Sequence, residues 1–477
     1  MHGRTCHGGM VRIPLVASML LLSFAAARLE AQPWPPLPGD LPLARAPDSA
    51  RVRAARWEDF LVAPREAALA MKPRVVSDAG RTWELRVERG RDYFYMLVLP
   101  RRGDAYPVYA QGAWILKRRV SDGSPVSAKI FLRSDPGTFA LVTPDGSRSR
   151  LDVVAYGGIL RLGVPLPLPF ERVLTASLPS LVELSSELVD WGLFSPEPTL
   201  YREIAAMVAS VRAALPSLAY ADDGALDADG SWVRLEDAAP QAGPGPGLNC
   251  SGFAKWVVDG LLGPSRGTWS SVAEIKSLMA ALAGQPGSRG SSFTRSYETA
   301  LEPYYGLDFT RALAALAAGS RDGGIPADAA RALDVRLPPP ALLVKTGDPV
   351  NGLSAYEAYP DRFPDSGYRV DGLAPVLFLL ASKEPGHAYL AAISRSDPKE
   401  AGVRRWYHVA VLVPWFDSGG VFRVAVLESA AETSLGTLVA RAGKDFAHLV
   451  RLPVPHRFEP PSPESPGAYM ATRTDRY

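Results

Sequence analysis

Gly247-Leu248-Asn249-Cys250-Ser251-Gly252-Phe253-Ala254-Lys255-Trp256 is the stretch on which the reading of this chain turns. Beyond the first thirty residues Cys250 is the one remaining cysteine, and it stands where an amphipathic helix begins. Phe253, Trp256, Val257 and Leu261 recur at helical spacing and point inward. A helix N-terminus carries partial positive charge, which stabilises a thiolate relative to the free thiol, whose pKa is about 8.5. The preceding run, Ala242-Gly243-Pro244-Gly245-Pro246-Gly247, approaches without bulky side chains to crowd a substrate. A buried structural cysteine is the competing reading, since free cysteine is among the most buried residue types.

A thiolate nucleophile needs an imidazole to hold the ion pair and protonate the leaving amine, and the imidazole needs a third group to orient it. Tyr407-His408-Val409-Ala410-Val411-Leu412-Val413 reads as a buried strand carrying one polar ring. After the turn Trp415-Phe416-Asp417-Ser418-Gly419-Gly420 comes an equally apolar strand, Val424-Ala425-Val426-Leu427-Glu428-Ser429. A hairpin makes His408 and Glu428 cross-strand neighbours, and their pairing offsets the cost of burying either. His387, opening the strand Gly386 to Ile393, is the rival base. His448 reads as a strand residue and His456 as a surface residue.

Asn249-Cys250-Ser251-Gly252-Phe253 resembles the Asp-Cys-Ser-Gly-(Phe/Leu) signature of the NlpC-type papain-like cysteine peptidases, most of which cut bacterial cell-wall peptides. The strands holding His408 and Glu428 are similar to the two strands of that family that carry its histidine and third polar residue, in the same order. The resemblance is limited to residues about 248–262 and 406–430. It implies catalysis by Cys250, His408 and Glu428, with Tyr220, Asn249, Ser251 and His387 as candidate substrate contacts. There are departures. Asn249 stands in place of the aspartate, and the Pro-Gly-Asp run before the histidine strand is replaced by Asp371 to Leu380, a strand by composition. Tyr220, the candidate for the family's upstream tyrosine, lies thirty residues before the cysteine.

The 52 basic and 50 acidic residues create no strong field, so neither nucleic acid nor an anionic membrane is suggested as a partner. With 44 prolines and 42 glycines but 47% hydrophobic residues, the chain is rich in turns without being disordered in composition. Arg4 and Arg12 followed by Ile13 to Ala27 read as a secretory signal over residues 1–31, with cleavage before Gln32, and place the protein in the periplasm or cell envelope.

Residues 32–80 read as a Pro/Ala-rich linker. Residues 81–172 hold strand patterns separated by Asp-Gly and Pro-Gly turns, the signature of a β-sandwich-like domain. Residues 173–460 form the expected catalytic domain, with a partly helical insertion at about 264–370, and 461–477 a tail. Within the insertion, Asp308 reads as a helix cap. Asp227, Asp229, Gly230 and Glu236 mimic part of a calcium loop, but Ala225 at its first position cannot ligate, so the run reads as a turn.

The expected fold class is therefore α+β, an N-terminal all-β, sandwich-like domain followed by a papain-like NlpC-type domain. The expected activity is thiol-dependent hydrolysis of an amide bond in peptidoglycan stem peptides, with no metal and no cofactor. Two other classes stay open: a non-catalytic envelope module that binds cell-wall peptides, and a cysteine acyltransferase or amidase.

Overall fold

Arg53, buried at 1% exposure, explains why the chain is folded well before the first expected strand. Its guanidinium lies 3.4 Å from the centre of the Trp114 ring and donates to the carbonyls of Leu174 and of Ala176, the latter at 2.8 Å. In the computed structural model, which describes residues 39–242, 245–282, 294–295, 306–319, 327–343, 356–357, 366–399 and 404–462, this arginine ties helix α1 (Ala50–Ala55) across the first sheet. Helix α2 (Arg65–Leu69) follows. The Pro/Ala-rich stretch expected to be a linker over 32–80 is thus structured from Leu43 onward, because burying a charged side chain requires fixed carbonyl partners. The expected signal over 1–31 lies outside the described residues, as does the expected tail over 461–477 except for its first two residues, of which Pro461 is buried and accepts from the Trp256 indole at 2.9 Å.

Eight strands then run antiparallel in chain order: β1 (Arg74–Asp78), β2 (Arg81–Arg89), β3 (Tyr93–Pro100), β4 (Trp114–Arg119), β5 (Pro125–Phe131), β6 (Phe139–Asp145), β7 (Arg148–Ala155) and β8 (Gly158–Leu166). The expected sandwich is instead one continuous meander in which every strand pairs with its successor, most of them through short turns and β3 with β4 across residues 101–113. One face, with Trp83, Leu85, Phe94, Met96, Val98, Leu116 and Ile130, is core. Helices α3 (Phe170–Val173), α4 (Leu178–Ser185) and α5 (Arg202–Ala214) follow. In α5, Ile204, Met207, Val208 and Val211 are buried at helical spacing.

The hairpin β9 (Gly224–Leu226) and β10 (Trp232–Arg234) turns through Gly230 at φ +83°. It precedes α6 (Cys250–Arg266) and α7 (Val272–Leu282). The expected insertion is shared between two sheets rather than set apart. Strand β11 (Thr294–Arg295) belongs to the second sheet, whereas β12 (Ala341–Leu343) and β13 (Tyr356–Glu357) extend the meander past β8. Between them lie α8 (Leu307–Ala317) and α9 (Ala327–Ala332). Gly306, not Asp308, caps α8; Asp308 sits inside its first turn.

After β14 (Tyr368–Arg369) comes α10 (Leu373–Lys383), where composition suggested a strand. A continuous apolar run fits a buried helix as well as a strand, and Pro375 in the first turn costs no intrahelical bond. Strands β15 (His387–Ser396), β16 (Arg404–Phe416), β17 (Phe422–Glu428) and β18 (Ala431–Thr433), helix α11 (Leu435–Ala442) and β19 (Phe446–Pro453) follow among the described residues. The second sheet has the order β14-β19-β15-β16-β17-β18, with β11 also on β16.

The architecture is thus α+β, with two large antiparallel sheets. A seam of aromatic rings joins them: Tyr156 after β7, Phe194, and Phe378, Phe416 and Phe422 of the second half meet at centroid distances of 4.8–6.0 Å. Beside the seam, buried Arg133 pairs with Asp40 at 3.4 Å and donates to the carbonyl of Gly420 at the β16–β17 turn.

Candidate active site

The start of α6 is fixed by backbone contacts that leave little choice of sequence. Leu248 and Asn249 donate their N–H groups to the carbonyls of Ala219 (2.8 Å) and Gly224 (3.0 Å). The Asn249 side chain accepts the N–H of Gly252 at 2.7 Å, which makes it the N-cap. A Cβ on Gly252 would lie 1.9 Å from the Gly224 carbonyl oxygen, and one on Gly224 would lie 2.1 Å from that of Gly247. Glycine is therefore required two residues after the cysteine by packing alone. Cys250, 5% exposed, is the first residue of the helix, at the positive end of its dipole.

His408 occupies an irregular point of β16. Ile393 of β15 pairs with His408, but Ser394 pairs with Trp406, so Tyr407 is an extra residue in the strand. The bulge resets the alternation of faces. Ala392 stands opposite Val409 and also clusters with Trp406, so Trp406 and Val409 share a face despite an odd separation. Bulges of this kind re-aim side chains beside functional sites.

Nε2 of His408 meets Oε2 of Glu428 at 2.5 Å, and the Cys250 side chain lies near enough to the ring to favour its protonated form. Glu428, 3% exposed, ends β17; its Oε1 accepts from Thr433 Oγ1 (2.8 Å) and its Oε2 from Arg441 (2.6 Å). Burial works against the imidazolium, but the nearby Cys250 side chain and the bond to Glu428 outweigh it and raise His408 to about 9. Burial likewise works against the Glu428 carboxylate, yet His408, Arg441 and Thr433 bring it down to about 2. The group is a thiol beside a protonatable ring that is hydrogen-bonded to a fixed carboxylate.

The turn that brings Thr433 back to Glu428 is tight. Glu428 pairs with Ala431, and the two residues between, Ser429 (φ +51°) and Ala430 (φ +59°), are both left-handed, as a type I′ hairpin demands. Neither is the glycine or asparagine that such a turn favours.

Among the remaining residues singled out in the sequence, Tyr220 forms a bridge with Leu248, two residues from the cysteine; it is 59% exposed and its hydroxyl donates to Asp222 at 2.5 Å. Asn249 is 2% exposed and committed to capping, so it is not open to a substrate. Ser251 is 1% exposed, and its hydroxyl has no hydrogen-bond partner among the described residues. His387 does not join the cluster. It pairs with Pro453, rests on the carbonyl of Glu384 (3.2 Å), and lies six residues along β15 from the partner of His408, about 20 Å away. His448 is buried 3.6 Å from Asp334, which Arg311 binds through two nitrogens at 3.0 and 2.6 Å. His456 is exposed beside Glu203.

Sequence reasoning missed Arg441 and Thr433. Both depend on the Ser429-Ala430 turn, which lacks the Asn-Gly pattern that would have announced a hairpin there.

Residues 42–193 match a family model described as a domain of unknown function (DUF8515). The matched stretch spans α1, the eight-strand meander and α4, and it ends before Cys250, His408 and Glu428 are reached. No curated protein and no solved structure matches the chain. By sequence, then, less than half of this protein is similar to a described family, and its candidate active site lies outside that part.

Proposed function

We propose that the protein is an exported cysteine hydrolase that cleaves an amide bond, on a papain-like domain of the NlpC type. The observation that carries this reading is the hydrogen-bonded pair His408–Glu428 with the Cys250 thiol, at a helix N-terminus, close enough to favour the protonated ring. The Cys250 thiolate attacks the amide carbonyl carbon and forms a tetrahedral oxyanion. The Cys250 backbone N–H, which has no intrahelical partner at this position, donates to that oxyanion. His408 delivers the proton on Nδ1 to the leaving amine as the C–N bond breaks, giving a thioester. Water then attacks the thioester with His408 as base, and the carboxylate product leaves as the thiolate re-forms. Glu428 holds the ring in one orientation and stabilises its protonated form throughout.

The substrate class we favour is the peptidoglycan stem peptide, on the resemblance of the Cys250 and His408 motifs and the secretory pattern of the N-terminus.

The test is alkylation of Cys250 by iodoacetamide against pH in the native protein and in His408→Ala, together with hydrolysis of purified muropeptides and a Cys250→Ala control. Alkylation that depends on His408, and hydrolysis that falls about 10²-fold or more in either variant, is the expected result. A thiol that reacts only after unfolding, or equally fast without His408, refutes the reading in favour of a non-catalytic binding module.

A further inference from the structure

One carboxylate oxygen in the site serves two cations. Oε2 of Glu428 accepts from His408 Nε2 at 2.5 Å and from Arg441 at 2.6 Å, while Oε1 is taken by Thr433. Among the described residues, these are the only side chains that bond Glu428. The arginine is held in place by its helix. Ser434 caps α11 by accepting the N–H of Thr437 (3.0 Å), and Leu438 and Ala442 are buried, which leaves Arg441 on the flank of the last turn with its side chain 49% exposed.

We propose that Arg441 is a positioning residue that competes with His408 for Glu428 and thereby limits how firmly the ring holds its proton. The inference rests on the cysteine-hydrolase reading. A base whose proton is held too firmly cannot act as the base of the second half-reaction, when water must be deprotonated. A cation on the far side of Glu428 draws part of its charge away from the ring and repels the imidazolium. It also keeps Glu428 ionised when the ring is neutral.

Arg441 also acts electrostatically on Tyr407, and the other charged and titratable groups around the pair are engaged with further partners. Among the described residues of α6, Cys250 is the one that acts on the ring. On β16, Tyr407 stacks beside His408, donates to Asp445 (2.6 Å), and lies beneath the Arg395 guanidinium of β15 at 4.5 Å. On β18, Glu432 is bound by Arg212 through two bonds of 2.7 Å.

The sign is specific. Without Arg441 the carboxylate serves the imidazolium alone, so the His408 titration rises above its value of about 9. Removal of Glu428 moves it down. The experiment follows the His408 Cε1–H resonance against pH in the full-length protein, in Arg441→Gln and in Arg441→Lys, at low salt and in 1 M NaCl, with melting temperatures recorded alongside. For a half-exposed cation acting across one carboxylate, we expect a rise of about 0.5–1 pH unit in Arg441→Gln. The rise is largely reversed in Arg441→Lys and reduced by salt. The alkaline limb of Cys250 alkylation moves with it. A His408 titration that stays put or falls in a folded Arg441→Gln overturns the proposal and leaves Arg441 a surface residue of α11. If instead Cys250 alkylation proves indifferent to His408→Ala, the hydrolase reading fails, and the His408 titration still decides the role of Arg441.

Discussion

Replacing Glu428 by glutamine removes the charge facing Nε2 of His408 while keeping the side chain's shape and an acceptor oxygen. The ring stands at about 9 against an ordinary 6.5, a preference for the imidazolium of about 3 kcal/mol. A carboxylate in direct contact contributes about 1–3 pH units of such a rise, so the variant should titrate between about 6 and 8. The same loss reshapes stability against pH. Because His408 is raised in the folded state, its contribution is fully present below about pH 6.5 and disappears as pH climbs through about 9. Because Glu428 is depressed, its contribution is present above about pH 4.5 and disappears as pH falls through about 2. These are two views of one coupled pair, so the native protein should be most stable between about pH 4.5 and 6.5 as far as this pair decides it. Glu428→Gln should flatten both shoulders. The assay pairs an NMR titration of His408 with melting temperature recorded from pH 3 to 10. A ring that still titrates near 9 in the variant, or melting curves that superimpose over the whole range, would show that Glu428 does not control the ring.

Two further changes probe the scaffold of the site. Gly252→Ala places a methyl group 1.9 Å from a backbone oxygen that cannot step aside, and should cost about 1–3 kcal/mol or more together with slower Cys250 alkylation. A variant with wild-type melting temperature and reactivity would mean that α6 does not press on Gly224. Ala430→Gly relieves a left-handed backbone at a half-buried turn, a gain of about 1 kcal/mol that outweighs the small loss of its partly buried methyl, and should raise stability in urea titration with the His408 titration unchanged. Equal or lower stability would argue against the type I′ geometry.

The parts of the site that follow from local chemistry were legible in the sequence. Asn249 before an amphipathic run announces a capped helix, and the apolar strands around His408 and Glu428 announce a hairpin with two polar residues on it. What local pattern does not encode is the extra residue at Tyr407, since a bulge looks like any other strand residue. Nor does it encode Arg441, whose link to Glu428 is made by a turn of atypical residues. At the scale of the fold, Arg53 sits in a proline- and alanine-rich stretch that reads as linker, and only its carbonyl partners 121 and 123 residues later reveal it as core. The run Leu373 to Lys383 is apolar enough to satisfy either a strand or a buried helix, and tertiary packing decided for the helix. The meander differs from the expected sandwich for a related reason, since strand pattern fixes spacing but not which strand finds which neighbour.

The ring seam bears on how this protein can be divided. The stretch matching the family of unknown function ends at residue 193, one residue before Phe194. A fragment cut there keeps Tyr156 and Arg133 but loses Phe378, Phe416, Phe422 and the Gly420 carbonyl. Its newly bared surface would be aromatic and would carry a buried cation stripped of a partner, a combination that favours self-association over solubility. The meander is therefore a dependent module. In this protein that face is covered by Phe378 of α10 and by the hairpin that bears His408 on one strand and Glu428 on the other.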